Sequence, residues 1–332
     1  MTVEHTPACS FSAAITAHLA PDPAPWRVLS SHRRACNLIN QHGDLLALVT
    51  PTHGNGPFHV VTPLATLPEL SPHTVVHVGA MMVQLPTFRI DLRRTPSWSP
   101  QLACLHTREQ TVEGLYCCCH TLCEVISDQP SPLVASGPGA PSAVLATVAQ
   151  PALVSLQTGL IAGDLAQIAH GARRLAGLGP GLTPAGDDFL VGWMAALWLA
   201  GEVVRLAPEP VCAAIGEIAA PRTTRLSAAW LTHAATGRFG EAWHTLAASL
   251  ADGSSHTIKS GLLRIRNTGA TSGRDALAGF QHALASLRNG RCFEGRSFAG
   301  AETATPRRRA TAAPGAPSAA SHAGMTRQCA PG

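Results

Sequence analysis

The first third of the chain alternates short runs of β-branched and aromatic residues with clusters of turn-forming residues. The runs are residues 26–30, 44–50, 58–62, 74–79 and 87–92. Runs of this length and spacing, separated by Pro, Gly, Asn and His, are typical of a small β-sheet or barrel-like domain. One separator, HGNGP at 53–57, predicts a hairpin turn, because Asn55 and Gly56 tolerate positive φ angles. We therefore predict a β-rich domain over residues 1–126.

From about Val144 the apolar residues follow the period of an α-helix. One helical face collects Ile161, Leu165, Ile168, Ala169, Ala172, Leu175 and Ala176. The run after Asp188 is apolar on all sides, so that helix is expected at the centre of its domain. Further helices are predicted at 226–237, 241–250 and 273–288. The fold class is therefore predicted to be α+β, with a mainly helical domain over residues 144–296.

Two segments lack apolar periodicity. Residues 127–143 are dominated by Pro, Gly and Ser, which cannot keep a regular ladder of hydrogen bonds, so they are predicted to link the two domains. Residues 297–332 are predicted to be a disordered tail, since they cannot bury enough apolar surface to offset the entropy of ordering.

The composition is apolar and poor in charge. Hydrophobic residues make up 45% of the chain and charged residues 13%. This fits a subunit that buries surface against partners, although a GC-rich genome gives a similar bias. Of the net charge of +4, the tail carries +3, with four arginines against one glutamate. The remaining +1 provides no basic stripe of the kind that nucleic acids require, so no nucleic-acid partner is predicted.

The sequence also predicts a cytoplasmic protein without a membrane partner. The first residues lack the basic leader and apolar core of a secretory signal. The apolar stretch from Phe189 to Gly201 has 13 residues, whereas a bilayer span needs about 20. We therefore predict a core helix there. Ten cysteines without an export signal indicate a reducing compartment.

The stretch GLGPGLTPAGDD, from Gly177 to Asp188, is the strongest candidate for a functional site. Gly179 and Gly181 permit backbone conformations closed to other residues, so that a ligand can approach the main chain closely. Thr183 and Pro184 predict a helix start, with a hydroxyl cap followed by proline at the first helical position. Exposed N–H groups at such an end favour phosphate or carboxylate. We therefore predict a small anionic substrate.

Asp187 and Asp188 fall in the first turn of this helix and admit two interpretations. Carboxylates stabilise a helix N-terminus by about 0.3–1 kcal/mol each, with no ligand involved. Alternatively, one of them holds Mg²⁺ or a proton beside the bound anion. No lysine follows the last glycine, so the loop is not a P-loop. Mg²⁺ is the candidate cofactor, and no other is predicted.

A second segment, RNTGATSGRDALAG, repeats this arrangement. The spacing of Gly186, Asp188, Leu190 and Gly192 recurs in Gly273, Asp275, Leu277 and Gly279. Ser272 and Asp275 also match a capping box, which needs no ligand. If both helix starts face one pocket, Asp188 and Asp275 are candidate Mg²⁺ ligands. Together with Asp187 they are then the candidate catalytic residues.

A third helix start, TTRLS at 223–227, adds hydroxyl groups and a guanidinium group that suits carboxylate or phosphate. If the three segments converge, they form one polar pocket. Its candidate substrate-binding residues are Gly179, Gly181, Thr183, Gly186, Thr224, Arg225, Ser227, Thr271, Ser272 and Gly273.

Cysteine and histidine give weaker signals. The segment CCCHTLC at 117–123 offers a zinc site through Cys117, Cys119, His120 and Cys123, but no second cysteine pair is evident, so buried free thiols on a β-strand are predicted instead. His233 is near a motif and is expected to be a packed helical histidine rather than a general base. His59 and His77 alternate with valines and are expected to face solvent.

Taken together, LGPGLTPAGDDF, TTRLSAAWLTHAATG and TGATSGRDALAG resemble the segments that mark the family of AllH, a subunit of oxamate carbamoyltransferase. The resemblance extends over about residues 26–290. It implies carbamoyl transfer between carbamoyl phosphate and oxamate, run as phosphorolysis of oxalurate in ureide or purine degradation. It also implies FdrA-like and other partner subunits.

The family assigns no catalytic residues, so the candidate residues rest on the motifs alone. The sequence shows no obvious activated nucleophile. A non-catalytic ligand-binding or scaffolding subunit of such a complex therefore stays open as the alternative to an enzyme subunit.

Overall fold

The computed structural model describes residues 4–106, 109–134 and 142–289. Its strands are β1 (Glu4–Pro7), β2 (Ser10–Ser12), β3 (Ala24–His32), β4 (Ala35–Ile39), β5 (Leu45–Val49), β6 (His59–Val61), β7 (Val75–Gly79), β8 (Met82–Gln84), β9 (Phe88–Asp91) and β10 (Ser97–Trp98). They form one open, half-barrel sheet in the order β1-β9-β8-β7-β3-β4-β5-β6-β2-β10. Each of the five predicted runs coincides with a strand (β3, β5, β6, β7 and β9), and the α+β class is confirmed.

The connection from β5 to β6 is not the predicted hairpin. The two strands pair in parallel, so residues 50–58 must run back along the sheet. Gly54 has a φ of 77°, whereas Asn55 and Gly56 have no positive φ. Asn55 instead donates from N and Nδ2 to Oε2 of Glu241, both at 2.9 Å. The hairpin prediction was wrong because these tertiary hydrogen bonds, rather than local turn preference, set the loop.

The helices in the described part of the chain, besides the short α1 (Thr16–Leu19), are α2 (Glu109–Ser127), α3 (Ser142–Ala162), α4 (Leu165–Leu175), α5 (Ala185–Ala200), α6 (Pro208–Ala219), α7 (Arg225–Ala235), α8 (Glu241–Asp252), α9 (Ser255–Arg266) and α10 (Ser272–Asn289). Helix α5 is buried at every residue. It packs against α4, α6, α7 and α10, which confirms the prediction of a central helix.

The strand prediction for the cysteine-rich segment was wrong, because residues 117–123 lie on α2. Helix α2 packs against α8 and α9, and Cys118 is buried in the helical core rather than in the sheet core. The helical part therefore begins before the predicted boundary at residue 126. Of the predicted linker, residues 135–141 lie outside the described residues, and so does the predicted tail 297–332.

The single helix expected over Ile161–Ala176 is two helices. Helix α3 ends at Ala162, Gly163 has a φ of 70°, and Asp164 caps α4 by accepting from the N–H groups of Ala166 and Gln167. By length and composition alone, part of α3 meets the criterion for a membrane span, which core helices of soluble proteins also meet.

The sheet and the helices have separate apolar cores that meet at α7. Leu226, Ala229 and Trp230 of α7 pack against the sheet core, and Trp230 also borders the helical core. His59 is buried at this junction, contrary to the expectation that it faces solvent, and its Nδ1 lies 3.1 Å from the carbonyl oxygen of Gly54. The two parts therefore share a continuous packed boundary.

Candidate functional site

Helices α5 and α10 touch backbone to backbone at two glycines. A Cβ at Gly192 would overlap the carbonyl oxygen of Ala276, and a Cβ at Gly279 would overlap the carbonyl oxygen of Phe189. The two contacts are reciprocal, because each glycine contacts the helix that carries the other one. Each is the last residue of its copy of the repeated motif. The repeat therefore marks a close helix crossing in which both copies take part.

The first glycine of each copy has a packing role as well. A Cβ at Gly186 would overlap the carbonyl oxygen of Leu175 at the end of α4. In the same way, a Cβ at Gly273 would overlap that of Ile265 near the end of α9. The pairs α4–α5 and α9–α10 are thus equivalent helix–loop–helix units. Gly186 and Gly273 face protein backbone, so the structure gives them a packing role rather than an open path to substrate.

The loop that leads into α5 has an unusual backbone. Gly177, Gly179 and Gly181 have φ values of 71°, 116° and 102°, a region that favours glycine. The tip of the loop, Pro180–Leu182, is exposed, and the space beside Gly181 is open. Gly179 and Gly181 are therefore accessible at the surface or close to it, as a ligand-binding loop requires.

Hydrogen bonds join the three motif segments around this loop. Thr183 Oγ1 and Ser272 Oγ lie 2.8 Å apart, which connects the starts of α5 and α10. Thr224 Oγ1 donates to the carbonyl oxygen of Leu182 at 2.6 Å, which connects the start of α7. Thr183 was expected to cap α5, but Pro184 is the N-cap and no side chain caps this end. The Thr183 hydroxyl instead forms a hydrogen bond with Ser272, which joins the starts of α5 and α10.

Asp187 is fully engaged in holding the loop together. Its Oδ1 accepts from the N–H of Gly177 at 2.9 Å, and its Oδ2 accepts from the hydroxyl of Thr223. Burial raises the pKa of this carboxyl, while the hydrogen bonds from Thr223 and Gly177 and the nearby Ser227 hydroxyl act in the opposite direction. Asp187 therefore has a structural role that accounts for its position.

Asp188, the next residue, is buried with one oxygen unused. It is 9% exposed, and its Oδ2 has no hydrogen-bond partner within the described residues. Burial raises the pKa of Asp188 to about 8, helped by the negative charge of Asp275 and opposed by the hydroxyl groups of Ser272 and Thr183. Near neutral pH this carboxyl therefore keeps its proton.

Asp275 is the counterpart of Asp188 on α10. It is 1% exposed, its Oδ1 accepts from Ser131 Oγ at 2.6 Å, and its Oδ2 has no partner within the described chain. Burial raises the pKa of Asp275 to about 6, while the Ser131 hydroxyl, the charge of Arg274 and the nearby Thr271 hydroxyl act in the opposite direction. The N–H of Asp275 donates to the carbonyl oxygen of Thr271 at 3.2 Å and the Ser272 hydroxyl pairs with Thr183, so the capping box of Ser272 and Asp275 is not formed.

Other predicted residues lie elsewhere or have local roles. Thr224 caps α7 by accepting from the N–H of Ser227 at 3.1 Å. Arg225 lines a cleft of about 300 Å³ with His18, Asp44 and His233. A second cleft of about 250 Å³ lies between the sheet and α8 and α9. None of the three aspartates lines either cleft, so substrate binding by Arg225 at the carboxyl pair stays a prediction without support from the geometry.

A divalent cation would have to use oxygen ligands at the carboxyl pair. Within the described ranges there is no group of three or more His, Cys, Asp or Glu that could hold a metal. The cysteines of α2 therefore form no such group either. The two unpartnered carboxyl oxygens of Asp188 and Asp275, with the hydroxyls of Thr183 and Ser272 nearby, match the hard oxygen ligands that Mg²⁺ prefers. The donor set fits Mg²⁺ only if water supplies the remaining positions.

Two residues that shape the site carry no signal in the sequence. Ser131 belongs to the segment predicted as a linker, yet it holds Asp275. Gly177 was noted only as the start of the motif, although its N–H holds Asp187. Both contacts join residues that are distant in the chain or lie across a loop, so no local pattern reveals them.

Comparison with known families matches both parts of the chain. Residues 175–284 match the model of oxamate carbamoyltransferase subunit AllH, and residues 7–97 match the AllH family N-terminal domain. The two matches together cover more than half of the 332 residues. All three motif segments lie inside the first match. No solved structure gives a significant match to this chain.

Proposed function

This chain belongs to the AllH family of oxamate carbamoyltransferase subunits, and from that premise we propose that its Asp188–Asp275 pair takes part in carbamoyl transfer. The reaction in one direction joins the amide nitrogen of oxamate to the carbonyl carbon of carbamoyl phosphate and releases phosphate. In the other direction phosphate attacks the carbamoyl carbon of oxalurate and oxamate leaves. The second direction fits a role in purine or ureide degradation.

The observation that carries the proposal is the unpartnered Oδ2 of Asp188 beside Asp275. Because burial raises its pKa to about 8, Asp188 holds a proton near pH 7. In phosphorolysis the leaving amide nitrogen must gain a proton as the C–N bond breaks. A carboxylic acid that is protonated at the working pH can supply it, and in the reverse direction its carboxylate can take the proton back.

The anion is best placed on the loop side of the pair. Two carboxyl groups repel phosphate unless a proton or a cation offsets their charge. When bound there, Mg²⁺ would neutralise the pair and polarise the substrate oxygens. Gly179 and Gly181, which are at or near the surface in a left-handed conformation, are the candidates to hold phosphate through backbone N–H groups.

Partner subunits complete the proposed site. The carboxyl pair is buried in this chain, whereas the loop tip Pro180–Leu182, which leads into α5, is exposed. Leu182 is 46% exposed. We propose that FdrA-like or other partner subunits bind at this tip and admit the small anionic substrate to the pair.

A non-catalytic role has one specific observation in its favour. Asp188 and Asp275 are both buried and line neither of the two clefts described above. In that alternative the carboxyl pair holds α5 and α10 together, and a partner subunit carries out the chemistry.

Phosphorolysis of oxalurate by the reconstituted complex separates the two roles. With Asp188→Asn, a loss of about 100-fold or more in kcat is expected if Asp188 transfers a proton. Asp252→Asn, at the exposed end of α8, is the matched control and should turn over like the wild type. Wild-type turnover by Asp188→Asn would remove Asp188 from the mechanism. Absence of any turnover by the wild-type complex would refute carbamoyl transfer itself.

A further inference from the structure

The cleft of about 250 Å³ between the sheet and the helices is lined mainly by charged and polar residues. On the sheet side it is lined by Arg34 and by residues 51–54 of the loop after β5. On the helical side it is lined by Glu241, Arg264 and residues 267–269. The last segment belongs to the loop that leads to α10. The cleft therefore borders the second motif copy but lies apart from Asp188.

Its walls are fixed by hydrogen bonds across the boundary between the two parts. Asn55 donates twice to Glu241 Oε2, and the N–H of Glu241 donates back to the carbonyl oxygen of Asn55 at 2.9 Å. Gly54 and Gly269, one in each wall, have φ values of 77° and 65°. Since both walls are held in place, binding a ligand here requires little ordering of the protein.

One positive charge in the cleft is left without a partner. Glu241 accepts from Asn55 and lies 3.4 Å from Nη2 of Arg264. Burial raises the pKa of Glu241, but the hydrogen bonds from Asn55 and the charge of Arg264 outweigh it, so the pKa is lowered. Glu241 and Arg264 thus offset each other. Arg34 lies at the open, exposed side of the cleft, and its side chain forms no ion pair or hydrogen bond within the described part of the chain.

The remaining lining groups are neutral and polar. Thr52 and Thr268 supply hydroxyls, and Asn267 supplies an amide. Burial and the charge of Arg34 lower the pKa of His53, so its imidazole is neutral near pH 7. The cleft thus offers one free guanidinium group surrounded by neutral donors and acceptors.

We infer that this cleft binds a small monoanionic carboxylate that carries further hydrogen-bonding groups, with Arg34 paired to the carboxylate. A guanidinium group matches a carboxylate in a planar, two-bonded geometry. The net charge of one favours a monoanion over a phosphate dianion. The inference rests on the lining of the cleft and not on the proposed role of Asp188, so each can fail without the other.

Calorimetric titration of the full chain with oxamate as the probe tests the inference. Saturable binding is expected, and Arg34→Gln should weaken it by about tenfold or more, the effect of losing one charge-assisted pair. Arg33→Gln is the matched control, because Arg33 is exposed like Arg34 but does not line the cleft, and it should bind like the wild type. Thermal unfolding of Arg34→Gln should match that of the wild type.

Three results would overturn the inference. These are absence of oxamate binding by a folded wild-type chain, equal affinities of Arg34→Gln and the wild type, and tighter binding of inorganic phosphate than of oxamate. Oxamate binding that depends on Arg34 would support the inference even if the reconstituted complex showed no carbamoyl transfer.

Discussion

Gly192 of α5 and Gly279 of α10 occupy equivalent points of two crossing helices, and each contacts the backbone of the other helix. An aspartate stands four residues before each glycine, about one helical turn away. The close crossing therefore brings Asp188 and Asp275 into electrostatic contact, although 86 residues separate them in the chain. The same glycines that repeat in the sequence create the carboxyl pair.

Replacing either crossing glycine by alanine is expected to destabilise the chain. The new Cβ would overlap a backbone carbonyl, so the helices must separate, at a cost of about 1–3 kcal/mol or more. Urea unfolding of Gly192→Ala and Gly279→Ala measures the loss. Gly240→Ala is the control, since its Cβ would lie 3.5 Å from the nearest heavy atom at an ordinary contact distance. Equal stability of all three variants would contradict a close crossing.

The two adjacent aspartates are expected to differ in their effect on stability. Asp187→Asn removes an acceptor from the Gly177 N–H or the Thr223 hydroxyl and should cost about 1–3 kcal/mol at pH 7. Asp188→Asn should leave the free energy of unfolding unchanged or raise it, because Oδ2 has no donor to lose. Urea unfolding of both variants compares them directly. If Asp188→Asn lost more unfolding free energy than Asp187→Asn, Asp188 rather than Asp187 would be the carboxyl with the structural role.

The wild type should lose stability relative to Asp188→Asn as the pH rises from about 6.5 to 8. In this window Asp188, with its pKa raised to about 8, is protonated in the folded chain and ionised in the unfolded chain. Its contribution to the free energy of unfolding then falls by about 1.4 kcal/mol for each pH unit. The buried histidines, whose pKa values are lowered from 6.5, act in the opposite direction up to about one pH unit above that value, and they act equally in both proteins. The difference between the two proteins therefore isolates Asp188, and equal pH profiles would locate the titrating group elsewhere.

Mg²⁺ is expected to stabilise the wild type, and more strongly at pH 8.5 than at pH 6.5, because the carboxyl ligands must lose their protons to bind it. At 100 times the dissociation constant, the gain is about 2.7 kcal/mol. Melting temperatures with MgCl₂, compared with NaCl at equal ionic strength, measure it. The gain should be absent in Asp188→Asn. A gain of the same size in that variant would mean that Mg²⁺ binds at another place.

Local sequence patterns predicted the elements that depend on neighbouring residues, and the one helix that is buried on all sides. The apolar run after Asp188 predicted the central helix α5, and the β-rich runs predicted strands of the sheet. The helical nature of α2 was present in the sequence and missed, since Leu115, Cys118, Leu122 and Val125 have helical spacing and pack in the helical core.

What the sequence could not predict depends on contacts between distant residues. The position of Asn55, in the loop between the parallel strands β5 and β6, depends on hydrogen bonds to Glu241, which lies 186 residues further along the chain. The repeated spacing indicated two related helix starts, and the structure brings them together. Their glycines are packing positions, where the backbone of another helix approaches closely. A local sequence pattern does not reveal which backbone will approach a glycine.

The pKa of Asp188, measured by carboxyl ¹³C NMR in the wild type and in Asp275→Asn, tests most directly whether the two motif copies form one site. We predict a value of about 8 in the wild type and a lower value in Asp275→Asn, because the negative charge that disfavours ionisation is removed. An Asp188 that titrates near the ordinary value of 3.8, or whose pKa does not respond to the loss of Asp275, would contradict a shared site.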